Sequence, residues 1–67
     1  SLAAVILEYG ISIGTDVSRN YYMLAELYRK DNNITGINSL IESADKLDSI
    51  MKAPIISKLN EIKAAVS

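Results

Sequence analysis

Residues 16–52, DVSRNYYMLAELYRKDNNITGINSLIESADKLDSIMK, carry two apolar stripes separated by a polar turn. In the first half Val17, Tyr21, Leu24, Ala25 and Tyr28 recur at spacings of four, three, one and three. In the second half Ile37, Leu40, Ile41, Ala44, Leu47 and Met51 recur at three, one, three, three and four. A helix of about 3.6 residues per turn gathers each set onto one face and leaves charged and amide side chains on the other. Between them lies Asp31-Asn32-Asn33, whose short side chains bond to neighbouring backbone and so favour a turn. The reading is a helical hairpin, with helices over about 16–30 and 35–52.

Start and stop signals extend the pattern in both directions. Thr15 or Asp16 offers an N-cap oxygen to the first helix, and Arg29 and Lys30 suit the negative end of its dipole. Glu26 is placed to pair with either cation across one turn. Thr35 is the expected N-cap of the next helix, with Gly36 in its first turn. Glu42–Lys46 and Asp48–Lys52 are acid-before-base pairs at i,i+4. Pro54 reads as the stop of that helix and the first turn of another over 54–66, with Ile55, Ile56, Leu59, Ile62 and Val66 as its buried stripe. On the N-terminal side, Leu2-Ala3-Ala4-Val5-Ile6-Leu7 is apolar all round. Its alanines and leucines favour a short helix over about 2–9, although Val5, Ile6, Ile11 and Ile13 leave a strand open. Gly10 to Gly14 reads as a connector. The expected fold is all-α, a small bundle or stacked hairpin of three to four helices in one domain spanning 1–67.

Composition narrows the chemistry. Sixty-seven residues support one small core, and the chain contains neither cysteine nor histidine. Thiolate metal sites, disulfides and the commonest general base near neutrality are therefore missing, which argues against an enzyme and leaves no cofactor or metal expected. Absence of cysteine fits the cytoplasm. Seven basic against eight acidic residues give a net charge of −1, so nothing overall attracts nucleic acid or anionic lipid. The balance is −3 over residues 1–45 and +2 over 46–67, a mild dipole. Leu2–Leu7 is far shorter than the roughly 20 apolar residues a membrane span needs, and no membrane is expected. The chain opens on Ser1 rather than Met, which reads as a processed product or a piece of a longer chain.

Tyr21, Leu24, Ala25 and Tyr28, followed by Ala44, resemble the packing signature of a tetratricopeptide-repeat helical hairpin, in one copy over residues 17–50. Ile37 stands where that family prefers a small side chain, and Ser49 stands where it usually has proline. The resemblance implies peptide or protein binding. Asp31-x-Asn33-x-Thr35-Gly36-x-x-Ser39-x-x-Glu42 is similar to an EF-hand calcium loop, with oxygen side chains at the ligand offsets and Glu42 in the closing position. Asn38 replaces the apolar residue that pairs two such loops, and a helix N-cap accounts for the same residues. Gly36-Ile37-Asn38-Ser39-Leu40 is similar to the Gly-x-Asp-Ser-Leu of acyl carrier proteins, with Asn38 in place of the acid.

The more general signal is a surplus of apolar side chains. Tyr22 and Met23 fall off the stripe of their helix, and Ile50 falls off the stripe of its own. Tyr22 either covers the N-terminal helix or is exposed to a partner. With the Leu2–Leu7 run, these exceed what one four-helix core needs, and Leu2, Ile6, Tyr22, Met23 and Ile50 are the candidate interaction residues. The expected function is a non-catalytic protein–protein interaction or oligomerisation module, an adaptor or chaperone-like subunit, with a protein partner or a second copy and no small-molecule substrate. The alternative is a nucleic-acid-binding or packaging subunit using Lys46, Lys52, Lys58 and Lys63.

Overall fold

The computed structural model describes residues 2–66 as four helices: α1 (Leu2–Ser12), α2 (Val17–Lys30), α3 (Ile34–Ala44) and α4 (Ser49–Ala64). No strand occurs among the described residues, so the all-α expectation holds, and the N-terminal run is helix. The hub is α2. It packs against α1, α3 and α4, and α3 packs against α4, whereas α1 packs closely on α2 alone.

The stripes form the core. Tyr21, Leu24, Ile37, Ile55 and Leu59 are the largest fully buried side chains, and all come from α2, α3 and α4. Ala25, Leu40, Ala44 and Ile62 complete the cluster, and α1 adds only Leu7 to its buried set. Each large side chain withdrawn from water stabilises by about 1.5–3 kcal/mol, so this three-helix centre carries most of the hydrophobic stabilisation. With one buried side chain in the cluster, α1 is docked onto the core more than built into it.

The turns explain where the helices end. Gly14 has φ of 75°, a left-handed conformation that suits glycine. The Thr15 amide donates to the Gly10 carbonyl at 3.0 Å and the Gly14 amide to the Ile11 carbonyl at 3.1 Å. These two bonds make a Schellman C-cap, so residues 10–12 continue α1 where a connector was expected. The same motif recurs after α2. Asn32 takes the left-handed position with φ of 54°, the Asn33 amide donates to the Tyr28 carbonyl at 2.8 Å, and the Asn32 amide donates to the Arg29 carbonyl at 3.0 Å.

Three expected boundaries need correction. Asp16 occupies the N-cap position of α2 with φ of 42° but makes no side-chain cap bond; its carboxylate lies 3.9 Å from Arg19 instead. The N-cap of α3 is Asn33, whose Oδ1 accepts from the Gly36 amide at 2.9 Å, so Thr35 is an interior residue of α3. The helix expected over 35–52 ends at Ala44. There Lys46 and Leu47 amides donate to Ser43 and Ala44 carbonyls in tight i,i−3 bonds, and Asp48 begins α4 by accepting from the Ile50 amide at 3.0 Å. Pro54 therefore sits in the sixth position of α4, beyond the first turn where it was expected. The carbonyl its missing N–H would have met belongs to Ile50, a residue 85% exposed. Met51, placed on the buried stripe by its spacing, is exposed because the stripe does not continue across the break.

Candidate interaction surface

The five candidate residues do not form one site. Ile6, Tyr22 and Met23 converge on a groove between α1 and α2, with Ala3, Leu7 and Leu27 completing its apolar lining. Arg19, Glu26 and Lys30 of α2 rim it, and its volume is about 540 Å³. Tyr22 is half-buried there against α1, which realises the first of its two alternatives, whereas Met23 stays 44% exposed. Leu2, 76% exposed, lies on α1 just outside the groove lining. Ile50 is elsewhere, in the first turn of α4, which α1 does not contact.

The groove exists because α1 has an inner and an outer apolar face. Ala4, Leu7 and Ile11, with Gly10, face α2. Gly10 is buried because the Asn20 side chain fills the space where a Cβ would project, and Asn20 Nδ2 donates to the Thr15 carbonyl at 2.7 Å. That close approach seats the N-terminal helix tightly at one end and leaves the groove on its flank. Opposite the inner face, Leu2, Val5, Ile6, Tyr9 and Ile13 are exposed. Val5, Tyr9 and Ile13 were not among the sequence candidates. The signal that could have found them is the spacing of Leu2, Ile6, Tyr9 and Ile13 at four, three and four, a second stripe inside an all-apolar run.

On the other flank of α1 the surface turns polar. A cleft of about 230 Å³ is lined by Glu8, Ser12, Tyr21, Tyr28, Ser39 and Ser43 above Ile11, Leu24, Gly36 and Leu40. The Tyr28 hydroxyl donates to Glu8 Oε2 at 3.0 Å, tying α1 to α2. Burial, and then the hydrogen bond and charge of Glu8, push the Tyr28 hydroxyl above the ordinary tyrosine range. Burial likewise raises Tyr21, against a smaller lowering from the hydrogen-bonded Ser43 side chain. Glu26, at the groove rim, is held below the usual carboxylate range chiefly by its hydrogen bond to Arg29, at 2.9 Å.

The segment resembling a calcium loop is turn and helix. Residues 34–42 are helical, so Asn33 caps α3 in place of coiling around an ion, and Ser39 lies midway along α3. Among the described residues no group of three or more acidic, histidine or cysteine side chains is placed to hold a metal ion. No described helix is long and apolar enough to cross a membrane. Of the four C-terminal lysines, Lys52 reaches back to Asp45, contacting its carboxylate and carbonyl oxygens at 3.3 Å each. The expected pair with Asp48 is replaced because Asp48 spends its carboxylate on the cap of α4. In comparisons with known proteins, the chain matches no family model, no curated protein and no solved structure.

Proposed function

We propose that this chain is a non-catalytic protein–protein interaction or oligomerisation module that works through the α1/α2 groove and the outward face of α1. The observation that carries the reading is the continuity of these two surfaces through Ile6, which lines the groove and is 61% exposed. Monomeric proteins seldom expose contiguous apolar patches above a few hundred Å², and larger ones mark sites of association. The shape suits one amphipathic helix laid along the groove, its apolar face on Ile6, Tyr22, Met23 and Leu27 and its polar edge toward Arg19 and Lys30. Titrating isotope-labelled chain with a designed amphipathic peptide, leucines at heptad spacing and glutamates on one flank, tests this directly. Resonance shifts concentrated on Ala3, Ile6, Tyr22, Met23 and Leu27 support it. No shifts at millimolar peptide, in a chain that also stays monomeric, would sink it.

A further inference from the structure

We infer that the occupant of this surface is a second copy of the chain, paired through antiparallel α1 helices about a two-fold axis. The inference rests on the interaction-module reading above and adds the partner's identity and orientation. Four observations carry it.

The seam is self-complementary. Leu2, Ile6 and Tyr9 of α1 and Ile13, one residue past its end but with its amide still donating to the Tyr9 carbonyl at 3.1 Å, are spaced four, three and four, an order that reads the same in both directions. Two such stripes laid antiparallel set Leu2 opposite Ile13 of the second copy and Ile6 opposite its Tyr9, as an isologous contact requires. A parallel arrangement would stack Tyr9 on Tyr9 and bring two positive helix ends together, whereas antiparallel helices match opposite ends of their dipoles.

The seam is also free of charge. Glu8 is the sole Asp, Glu, Lys or Arg of α1, and it lies on the polar flank, accepting from Tyr28. A net charge of −1 per chain adds almost no repulsion between two copies. The rim of the groove lies beside this seam on α2, where Glu26 pairs with Arg29 at 2.9 Å, Arg19 lies 3.9 Å from Asp16, and Lys30 completes the rim.

The area is of the right order. Leu2, Val5, Ile6, Tyr9, Ile13 and Met23 are between 44% and 76% exposed. Together they present on the order of 600 Å² of apolar surface, against roughly 800 Å² per partner in a standard interface. That size fits a weak, concentration-dependent dimer. Finally, α1 packs closely on α2 alone, and Leu2, Val5, Ile6 and Tyr9 are left exposed on its outer face.

Sedimentation equilibrium of the full chain from about 10 µM to 1 mM tests the pairing. The average mass should climb toward the dimer, and raising the salt should not weaken it, because no ion pair crosses the seam. Ile6→Glu and Tyr9→Glu should each weaken association at least about tenfold with unchanged helicity by circular dichroism, since both side chains are exposed. Ile50→Glu, on α4, should leave it unchanged. Orientation is read separately, because the chain has no cysteine of its own. Mixing an Ile6→Cys copy with a Tyr9→Cys copy under mild oxidation should yield mainly the mixed disulfide. Predominance of either homodimer, or a merely statistical mixture, overturns the antiparallel seam. A chain monomeric at 1 mM overturns the pairing altogether; peptide binding in the groove would then leave the broader interaction reading standing, and its absence would remove both.

Discussion

Asn33 ends one helix and begins the next. Its amide donates to the Tyr28 carbonyl at 2.8 Å, closing α2, while its Oδ1 accepts from the Gly36 amide at 2.9 Å, opening α3. Asn33→Ala keeps the first bond and loses the second, which should cost about 1 kcal/mol in denaturant unfolding. Thr35→Ala and Glu42→Gln, both exposed on α3, should stay within about 0.5 kcal/mol. A larger loss for Thr35→Ala than for Asn33→Ala would contradict this assignment of the cap. Gly10 offers a second test. A methyl there overlaps Asn20 Nδ2, which must then give up the Thr15 carbonyl it now holds at 2.7 Å. Better helix propensity returns up to about 1 kcal/mol, but displacing a hydrogen-bonded buried amide outweighs it, and Gly10→Ala should lose about 1–2 kcal/mol net. In an Asn20→Ala background the same change should become neutral or favourable. Strict additivity between the two would show that Gly10 and Asn20 are not coupled.

At the scale of the helices, the stripes were legible and several of the boundaries were not. Tyr21, Leu24, Ala25, Ile37, Leu40, Ala44, Ile55, Leu59 and Ile62 are buried where their spacing put them, because burial follows periodicity whenever a helix has one core to face. Periodicity alone does not locate a break that preserves its phase. Ala44, Leu47 and Met51 keep helical spacing across the α3–α4 turn, so the decisive signal was the Asp48 carboxylate, a cap that the i,i+4 pattern with Lys52 disguised. Pro54 misled for a related reason, since proline is best tolerated in a first turn and here lies beyond it. The position carries a cost that can be measured. Pro54→Ala restores a donor for the Ile50 carbonyl and a better helix former, against about 0.4–1 kcal/mol of unfolded-state entropy that proline supplied. We expect the denaturant midpoint to rise, by about 1 kcal/mol or more of stability. An unchanged or lower midpoint would mean that the proline fits α4 without strain and that its rigidity outweighs the missing bond. The outer stripe of α1 was hidden differently: in a run apolar on every side, the inner and outer faces look alike until α2 is seen to cover only one.

Across the whole molecule, the N-terminal helix is held to the rest through α2 alone. Besides the packing of Ala4, Leu7 and Ile11 and the Gly10–Asn20 contact, α1 is tied to α2 by the bond from the Tyr28 hydroxyl to Glu8. That bond needs a proton on tyrosine. Burial, reinforced by Glu8, raises the Tyr28 hydroxyl, and burial also raises Tyr21 beneath it. A tyrosine whose folded pKa lies above its unfolded value of about 10 contributes stability in full below that value. The contribution is lost as pH rises through the folded pKa, because the unfolded chain releases its proton first and the unfolded state is favoured. Ionised Tyr28 would, in addition, face the Glu8 carboxylate with like charge. Stability should therefore be unaffected by tyrosine titration near neutrality and decline above about pH 10, with α1 loosening ahead of the α2–α4 core. Thermal midpoints compared from about pH 8 to 11 in the native chain, Tyr28→Phe and Tyr21→Phe provide the check. Tyr28→Phe removes one titrating group and should flatten the alkaline decline; Tyr21→Phe should flatten it as well, while leaving the Glu8 contact in place. Amide exchange should show residues 2–12 losing protection first in the native chain, and Tyr28→Phe should make them less protected even at neutral pH, where the bond is intact in the parent. If the alkaline decline in Tyr28→Phe runs parallel to that of the native chain, Tyr28 is not the proton-dependent tie between α1 and the core.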